Sequence, residues 1–490
     1  MTTAICWLRN DLRLDDNPVL AAAAAAHERV VVFYYLDHRQ LRELPELGFR
    51  KTGPHRLAFL LAALVDLRNN LRELGGAAGA ELIFRQGDDP AASLRELVDR
   101  TAAAAVYVQA EIASEETTAE AAVAAALPGG CPLSRVWGKT LYHADDLPFP
   151  ADECPEPFRG FRRVVEREVA VRPPTEPLPE LPGVPGLDPG RLPTVEELGY
   201  DEEPAPAYPG GESAALARLH HYLDGSHLVK TYRATRNRSL GADYSTKFSA
   251  YLATGCLSPR RVHAEIHRYQ RQHGNRAGNS VLFEMRWRDF FIFLARKHGN
   301  RIFRPGGYRG RKHDWNHDRE LFDNWRHGRT GLPFVDAHLR ELAATGFMSN
   351  RGRVNCASFL TRDYRTDWRW GAAWFENRLL DYEVSANWLN WHTQALEIYY
   401  TSAPWQGLKY DRDGRYVKTW LPELAELPAP LVHAPWKMAE EGMLDELDFD
   451  LDRDYYRPRV TNSKWDWAWN RLRTGDASSP RAKRATKGRK

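Results

Sequence analysis

The stretch that decides the fold runs from Gly346 to Trp391 and reads GFMSNRGRVNCASFLTRDYRTDWRWGAAWFENRLLDYEVSANWLNW. Its apolar residues recur at helical spacing, which predicts two successive helices. Charged, amide and indole side chains stand among them, and buried Arg, Asp and Asn are costly unless each meets a partner. Such a density indicates either a large polar ligand or an internal salt-bridge network. Taken alone, the stretch slightly favours the network.

The rest of the composition describes an ordinary soluble protein. The chain has 490 residues, 43% hydrophobic and 27% charged, enough for two or three domains. Its five cysteines show neither paired nor metal-ligand spacing, so we expect a reducing compartment, no disulfide framework and no metal site. The sequence shows no signal peptide and no run of 18 apolar residues. We therefore expect a cytoplasmic monomer without membrane contact.

The positive charge of the chain is concentrated in one region. The net charge is only +3, but Ser226 to His313 holds 19 Lys and Arg residues against 4 Asp and Glu residues. A concentrated basic region is typical of a surface that binds a polyanion. The alternative is a set of solvated helix faces, because a sequence cannot show that the charges share one surface. The size of the excess favours the polyanion.

The N-terminal part alternates between strand-like and helical segments. Apolar, β-branched runs occupy residues 3–9, 29–36, 81–86 and 105–110. Helical periodicity separates them, notably over Pro54–Leu74 and Pro90–Thr101. This alternation predicts an α/β domain over residues 1–150 with a doubly wound, Rossmann-like parallel sheet. RNDLRLDDNP follows the first run in place of G-x-G-x-x-G, which weighs against an ordinary dinucleotide-binding dehydrogenase.

The remainder of the chain divides into a linker, a helical domain and an extension. Pro173 to Pro209 holds 11 prolines in 37 residues, so we interpret residues 151–212 as an extended linker. Helical periodicity dominates afterwards, which predicts an all-α domain over residues 213–445. Residues 446–490 form a C-terminal extension. Its end, Ser478–Lys490, carries six basic and no acidic side chains and is expected to be a disordered tail.

Two short clusters in the helical domain have suggestive chemistry. Ser245–Ser249 (STKFS) offers hydroxyls, backbone amides and one cation, which suits a diphosphate. Clusters of Ser and Thr are more often caps or turns, so this signal is weak. Glu284 and Arg288 lie four residues apart, which is the spacing of an ordinary ion pair on one helix face.

Further motifs stand in a fixed order along the chain. They are RNDLRLDDNP, VWGKTLYHADDLPF (Val136–Phe149), YRATRN (Tyr232–Asn237), STKFSAYLATGCLSPR (Ser245–Arg260), EMRWRD (Glu284–Asp289), GRTGLPFVDAHLRELAATGFMSN (Gly328–Asn350), the opening stretch and YVKTWLPEL (Tyr416–Leu424). Together they resemble the photolyase/cryptochrome family, and more closely its cryptochrome-DASH branch. The resemblance implies an N-terminal α/β domain joined by a long linker to an all-α domain that binds FAD.

The resemblance also implies which positions contact the flavin. Those matching ribityl and phosphate contacts are Tyr232, Ser245, Thr246, Phe248 and Ser249. Those around the adenine, the isoalloxazine ring and its phosphates are Glu284, Arg288, Asn350, Arg353, Asp381, Glu383 and Asn387. Among these, Arg353 and Asp381 resemble a buried pair beside the flavin. Asn387 takes the place that faces the ring nitrogen protonated on reduction.

A tryptophan relay is implied in the same way. Trp391 matches the position nearest the flavin, Trp368 the middle one and Trp315 the outermost. With Glu284 and Asn387 they form the catalytic set that the resemblance implies. An indole is readily oxidised and can be buried without charge, whereas the alternative for all three tryptophans is core packing.

The family's repair enzymes use blue light to excite reduced FAD, which passes an electron to a cyclobutane pyrimidine dimer. Arg236, Trp287 and Arg351 match positions that contact the lesion or its phosphates, and the DASH branch favours single-stranded DNA. Members often carry an antenna pigment, either methenyltetrahydrofolate or a deazaflavin, and the residues do not identify one here.

The chain departs from the family pattern near the lesion pocket. Val354 stands where methionine or glutamine is common, Glu383 replaces an aspartate, and Thr393 takes a position that is usually aromatic. The glycine-rich loop G-x-G-N-D-P-R after Trp391 is replaced by the shorter HTQALEIYYTSAPWQG. Two hypotheses follow, a light-driven pyrimidine-dimer lyase acting on DNA and a non-repairing blue-light photoreceptor. A dark flavin oxidoreductase is a weaker third, since no nicotinamide motif is present.

Overall fold

The structure, a computed structural model, describes residues 1–75, 79–274, 276–397 and 400–475. The chain forms two compact units. The first comprises Met1–Ala234, Ser245–Arg304 and Phe375–Leu389. The second comprises Thr235–Tyr244, Pro305–Trp374 and the described residues from Asn390 onward.

The elements follow one another in chain order as strands and helices. The strands are β1 (Thr3–Leu8), β2 (Arg29–Asp37), β3 (Glu43–Leu44), β4 (Phe49–Arg50), β5 (Leu82–Gly87), β6 (Ala105–Gln109) and β7 (Leu133–Val136). The helices are α1 (Pro18–Ala26), α2 (Pro54–Gly75), α3 (Pro90–Thr101), α4 (Ser114–Ala126), α5 (Phe158–Glu168), α6 (Glu212–His220), α7 (Tyr232–Thr235), α8 (Ser249–Thr254), α9 (Pro259–His273), α10 (Asn279–His298), α11 (Arg319–Arg326), α12 (Pro333–Thr345), α13 (Asn350–Ser358), α14 (Trp368–Arg378), α15 (Val384–His392), α16 (Ala403–Tyr410), α17 (Arg415–Trp420), α18 (Pro435–Glu440), α19 (Leu451–Asp454) and α20 (Ser463–Thr474).

The main sheet is parallel and has the order β5-β2-β1-β6-β7. The chain first winds outward from β1 to β2 and β5, then crosses to β6 and β7 on the other side. This reversal is the switch point of a doubly wound sheet, so the predicted fold class is confirmed. Hydrophobic periodicity does not reveal β7, because four residues with two polar side chains are too short to show a strand pattern.

Both faces of the sheet are covered, which explains why its central strands, β1 and β2, are mostly apolar. Ile5 and Trp7 of β1 belong to a buried cluster that includes Leu94 and Val98 of α3. Cys6, which points to the opposite face, lies with its sulfur 3.8 Å from the carbonyl of Val19 in α1. Successive side chains of β1 therefore pack alternately into the hydrophobic cores on the two faces of the sheet.

The loop RNDLRLDDNP, which follows β1, has a structural role. Asn17 caps α1, because its side-chain oxygen accepts hydrogen bonds from the amides of Val19 (3.0 Å) and Leu20 (3.2 Å). The carboxylate of Asp16 is buried and forms an ion pair with Arg260 of α9. The loop thus anchors α9 to the sheet, and the cap already occupies the first amides of α1.

The proline-rich linker is docked along the first unit. Pro173–Pro209, all of which is described, contains no helix or strand. The carbonyls of Pro182 and Pro189 accept hydrogen bonds from the amides of Val30 in β2 and Phe84 in β5, both at 2.8 Å. Although proline lacks an amide donor, its carbonyl still accepts, so such a chain can bond to sheet backbone without forming a strand.

The second unit is helical, and two buried carboxylates of its helix α12 are hydrogen-bonded. Asp336 in α12 accepts hydrogen bonds from the amide of Thr330 at 2.9 Å and from the hydroxyl of Tyr455. Glu341, also in α12, accepts one from the hydroxyl of Tyr416 at 2.6 Å. These carboxylates form internal networks of the kind that the sequence left open as an alternative.

The C-terminal extension ends, within the described residues, in α20. Asn462 caps this helix through the amide of Lys464 (3.0 Å) and donates to the carboxylate of Asp363 (2.7 Å). Trp465 donates its indole N–H to the hydroxyl of Tyr400 at 2.8 Å. Residues 446–475 thus include a packed helix, whereas the predicted tail, Ser478–Lys490, lies outside the described residues.

Asp363 makes this anchorage dependent on pH. Burial raises the pKa of its carboxyl to about 7, while the hydrogen bonds from Asn462 and Tyr400 oppose the rise. A raised pKa means that the folded state binds the extra proton, so this contribution to stability is complete below about pH 4 and is lost as the pH rises through 7. From pH 4 to 7 the free energy of unfolding should fall by up to about 1.4 kcal/mol per pH unit.

We expect Asp363→Asn to remove that slope, because an amide does not titrate. Urea unfolding of both proteins at pH 5 and pH 7 would measure it. Equal pH dependence in the two proteins would exclude Asp363 as its source.

Candidate functional site

The Ser245–Ser249 segment is held in place by hydrogen bonds to its backbone. The guanidinium of Arg218 donates to the carbonyls of Ser245 and Thr246, both at 2.9 Å. Lys247, between these residues and α8, is buried and has a positive φ of 62°. The segment is therefore an ordered turn, with the side chains of Ser245 and Thr246 half-buried and that of Ser249 exposed. Such a turn can present hydroxyls and amides to an anion.

The helix α10 is bonded to the VWGKTLYHADDLPF motif. Arg288 donates to the carbonyls of Lys139 (2.6 Å) and Leu252 (3.2 Å). Asp289 accepts from the amides of Leu141 (3.1 Å) and Tyr142 (2.9 Å). The guanidinium of Arg288 is thus oriented by backbone, on the same helix as the half-buried Glu284.

Lys139 is a site residue that sequence reasoning missed. Its side chain is only 4% exposed, and its ammonium forms ion pairs with Glu111 and, at 3.4 Å, with Glu383. Burial works against its charge, but the two carboxylates outweigh burial and raise the pKa of Lys139. A lysine between Trp137 and Leu141 was the available signal, because a cation in an apolar run usually has a buried partner.

The segment that holds Glu383 carries polar atoms suited to a ligand. One carboxylate oxygen of Glu383 accepts from the amide of Ala386 at 2.8 Å, and the other forms the 3.4 Å ion pair with Lys139. The buried hydroxyl of Ser385 has no hydrogen-bond partner among the described residues. Asn387 is buried and Asp381 half-buried. Buried hydroxyls in native proteins usually have a partner, so the Ser385 hydroxyl fits contact with a polar cofactor.

The remaining predicted flavin positions have different settings. Tyr232, in the first unit, begins α7 and is half-buried, and Phe248 is buried directly before α8. Asn350 and Arg353 lie in α13 of the second unit. Asn350 is exposed, whereas the half-buried Arg353 donates to the carbonyl of Met348 at 3.0 Å. The predicted flavin residues are therefore distributed over both units.

The three predicted relay tryptophans lie in the second unit and differ in exposure. Trp368 is completely buried, Trp391 is 2% exposed and Trp315 is half-buried. The indole nitrogens of Trp368 and Trp315 both donate to the carbonyl of Pro305, at 2.9 and 3.2 Å. These two indoles are therefore close neighbours, and the series runs from the interior toward the surface.

Gly371 allows Trp391 to pack against α14, one turn after Trp368. A Cβ atom at Gly371 would lie 2.3 Å from Trp391 Cη2 and 2.7 Å from a methyl group of Leu360. We expect Gly371→Ala to displace the Trp391 ring and to destabilise the protein by about 1–3 kcal/mol, as overpacked cores do. Thermal unfolding would measure the loss.

Gly129→Ala is a suitable control, because the Cβ position of Gly129 has open space and its φ lies outside the left-handed region. Gly241 also has open space there, but its positive φ of 84° would strain an alanine. Gly129→Ala should leave the melting temperature unchanged. If Gly371→Ala were equally silent, the close packing of Trp391 on α14 would be wrong.

Arg236 and Arg351 form a cationic pair in the second unit. Arg351 donates to the amide oxygens of Asn237 (3.1 Å) and Gln406 (3.4 Å) and lies over the ring of Tyr410. Burial and, to a smaller extent, the guanidinium of Arg236 lower the pKa of Arg351. The two amide oxygens that Arg351 contacts carry no full negative charge, so its guanidinium is suited to attract an anion.

Trp287 has one face occupied by another ring. Phe158 of α5 stacks on it, with ring centroids 3.7 Å apart and planes inclined by 18°. The Trp287 side chain remains half-buried. Phe158 therefore fixes the plane of the indole, as a stacking platform for a base requires, but the sequence did not indicate this contact.

Much of the basic excess between Ser226 and His313 is neutralised by carboxylates from elsewhere in the chain. The pairs are Arg260 with Asp16, Arg261 with Asp15, Arg268 with Asp224, Arg286 with Glu166, Lys297 with Glu156 and Arg309 with Glu397. The sequence therefore overstated the charge available to a polyanion, because partners distant in sequence could not be counted.

Two family models match the N-terminal and the C-terminal part of the chain. A family model described as DNA photolyase matches residues 4–182, and one described as FAD binding domain of DNA photolyase matches residues 281–469. A cryptochrome DASH from Gloeobacter violaceus is 46% identical over 449 residues, which cover 89% of each chain. The chain belongs to the photolyase/cryptochrome family. Its curated relatives at 38–46% identity carry the name cryptochrome DASH, so the suspected branch is confirmed.

Solved structures support this membership. A cryptochrome from Synechocystis superposes with a TM-score of 0.89 at 37% identity, covering 97% of this chain and 99% of that one. A class III photolyase from Agrobacterium tumefaciens gives a TM-score of 0.81 at 25% identity, covering 97% of each chain. The chain thus combines a photolyase-type α/β part with a helical FAD-binding domain.

Two further observations concern what the described residues contain. None of their helices combines the length and the apolar character needed to cross a bilayer. In the same ranges, no group of three or more His, Cys, Asp or Glu side chains is arranged to hold a metal ion. The altered loop after Trp391 is described except for residues 398–399, and its start, Thr393–Glu397, continues α15 as a π-helical turn.

Proposed function

We propose that the protein is a blue-light-activated flavoprotein that binds DNA and splits cyclobutane pyrimidine dimers, preferably in single strands. FAD supplies the light absorption and the electron exchanged with the dimer. The protein supplies the binding site, the electron relay and the contacts to the strand. In this proposal it acts in the cytoplasm as a monomer.

The graded exposure of the tryptophans in the second unit is the observation that carries the redox part of the proposal. Trp391 and Trp368 are buried, which protects an oxidised indole from water, whereas Trp315 reaches the surface where an external reductant can restore it. The shared carbonyl of Pro305 keeps Trp368 and Trp315 adjacent. Core packing alone does not require such a partly exposed outer member.

The residues proposed to hold FAD are those with polar groups to spare. Ser245, Thr246 and Ser249 would bind phosphate oxygens through hydroxyls and amides. Ser385 would satisfy its unpaired hydroxyl on the cofactor, Glu383 would face the cofactor while paired with Lys139, and the amide of Asn387 would lie beside the ring. Arg288, whose guanidinium is oriented by two backbone carbonyls, would contribute its positive charge to the cofactor site.

Three residues support DNA as the partner. Arg236 and Arg351 would contact phosphate, and Trp287, held flat by Phe158, would stack on the flipped dimer. Flipping costs little for a damaged or single-stranded base. An antenna pigment, methenyltetrahydrofolate or a deazaflavin, is part of the proposal only as an accessory light absorber.

The second candidate is a photoreceptor without repair activity. The altered loop favours it, because Thr393 and Val354 replace residue types that relatives place by the lesion. In that case photoreduction through the tryptophans would change binding to a partner, and no dimer would be split.

One experiment separates the candidates. The purified protein is mixed with a single-stranded oligonucleotide containing one thymine dimer and illuminated with blue light in the presence of reductant. Loss of the dimer only in the light supports the lyase. Photoreduction of bound flavin with intact dimers supports the receptor, and a protein that binds no flavin after incubation with FAD contradicts both.

A further inference from the structure

A cavity lies in the second unit, outside the residues assigned above to flavin or lesion. It has a volume of about 360 Å³ and lies between the start of α16 and the first turns of α20. Its lining residues are Tyr400, Thr401, Ser402, Trp405, Gln406, Lys464 and Trp467. Aromatic rings, hydroxyls, one amide and one ammonium group therefore face a common space.

Two indoles form one wall of this cavity. The rings of Trp405 and Trp467 have centroids 5.0 Å apart and planes inclined by 60°. A planar ligand can therefore stack on one indole while its edge contacts the other. Trp467 is 40% exposed, the most of the 16 tryptophans, all of which are described. The exposed part of the Trp467 ring, next to Trp405, is therefore available to a ligand.

Cations surround the aromatic wall. Lys464 lies over the ring of Tyr400 at 4.2 Å, and the guanidinium of Arg471 lies 5.1 Å from the ring centroid of Trp467. Gln406, which lines the cavity, also bonds to Arg351. Gln406 thus connects the lining of the cavity to Arg351, which is proposed above to contact phosphate.

The wall is also rigid. Trp465, next to the cavity residue Lys464, is buried and donates to the hydroxyl of Tyr400. Asn462 bonds α20 to Asp363, and Trp469 donates to Glu441 at 2.6 Å. A preorganised wall loses little conformational entropy when a ligand binds.

We propose that this cavity binds one undamaged nucleobase of a single-stranded nucleic acid, next to the nucleotide whose phosphate Arg351 contacts. The base stacks on Trp467 or Trp405, its edge bonds to Gln406 or to the hydroxyls of Thr401 and Ser402, and Lys464 attracts the backbone. The proposal deepens the DNA-binding function proposed above and rests on it.

The combination of groups selects this ligand class. Stacking on aromatic rings together with a cationic track is how proteins hold single strands without reading their sequence. A paired base in a duplex does not expose its ring faces, so a duplex cannot fill the cavity. The cavity would therefore give the strand preference a physical origin in this chain.

The test measures dark binding of a fluorescently labelled oligothymidylate without dimers. Trp467→Ala should weaken binding by about tenfold or more, the effect expected for one lost base stack, while Trp467→Phe should restore most of the affinity. Tyr456→Ala, which truncates an aromatic residue of similar exposure outside the cavity, should bind as the unmodified protein does. Affinity within twofold in Trp467→Ala and in Trp405→Ala would overturn the proposal.

Salt dependence separates stacking from charge. Trp467→Ala should leave the slope of log affinity against log salt unchanged, whereas Lys464→Ala should reduce it by about one. Free thymidine monophosphate should compete poorly, because it lacks the neighbouring phosphate for Arg351. Equal competition by the mononucleotide would overturn the assignment to a strand.

A second measurement does not depend on the folding of the variants. An oligonucleotide with 5-iodouracil should cross-link to Tyr400, Trp405 or Trp467 under ultraviolet light, as located by peptide mass spectrometry. Cross-links confined to other residues would contradict the proposal. If oligonucleotide binding in the dark depends on Trp467 but no dimer is split in the light, the cavity proposal is supported and the lyase proposal is contradicted. Failure of one proposal can therefore be distinguished from failure of the other.

Discussion

The Trp391→Phe variant should keep its bound flavin but reduce it in blue light at least about tenfold more slowly, equivalent to ~1.4 kcal/mol on the barrier. The benzene ring of phenylalanine is much harder to oxidise than an indole, whereas its shape still fills much of the buried site. Trp391 is 2% exposed and packs directly on Gly371 of α14, so no solvent reductant reaches the site at that point. Absorbance of the oxidised flavin under blue light measures the rate.

Trp370→Phe is a matched control for this variant. Trp370 lies in α14 beside Trp368, but it packs edge-on against Phe322, with ring centroids 5.3 Å apart. The flavin of Trp370→Phe should bleach at the rate seen in the unmodified protein. Unchanged bleaching in Trp391→Phe would remove that residue from the relay. Loss of flavin from the variant would instead indicate a packing role.

The Lys139→Met variant should be destabilised by about 3–5 kcal/mol, because removing one partner of a buried ion pair leaves charge uncompensated. Lys139 neutralises Glu111 and Glu383, whose side chains are 1% and 6% exposed. Methionine matches the length of the lysine stem, so the effect isolates the charge. Urea unfolding at pH 7 measures the loss, and an unchanged midpoint would contradict the ion-pair assignment.

The destabilisation caused by Lys139→Met should depend on pH, because Lys139 shifts the pKa of the Glu111 carboxylate. Burial tends to raise the pKa of Glu111, but Lys139, Arg9 and Asn10 together outweigh burial and hold it below its ordinary value. A lowered pKa adds stability that is fully present above the unfolded-state pKa of about 4.3. This stability is lost as the pH falls through the folded-state pKa. The difference between Lys139→Met and the unmodified protein should therefore shrink in acid. The double variant Lys139→Met with Glu111→Gln should recover part of the stability, because one of the two uncompensated charges is gone.

The sequence predicted the α/β part well because its signals are local. The runs at residues 3–9 and 29–36 became β1 and β2, and the segments predicted as Pro54–Leu74 and Pro90–Thr101 became α2 and α3. A strand buried on both faces is a continuous apolar run, and an amphipathic helix repeats every few residues. The docking of Pro173–Pro209 had no such signal, because its hydrogen bonds run from distant strand amides to proline carbonyls.

The candidate site was predictable only in part. Motifs in order indicated the family and with it positions such as Glu383 and Trp391. The pairing of Lys139 with Glu383, 244 positions apart, depends on how the chain folds back on itself, and no local pattern encodes it. The same applies to Phe158 on Trp287 and to the cavity between α16 and α20.

By itself the sequence determined the fold class, the main strands and helices of the N-terminal part, and the family, because each depends on periodicity or on motifs within a few tens of residues. The tertiary structure alone decided which charges are free and which polar atoms lack partners. It showed that six of the cations between Ser226 and His313 face carboxylates. It also showed that Trp405 and Trp467 share a wall. Electrostatic attraction and stacking act over a few ångströms of space, and separation along the chain does not record that distance.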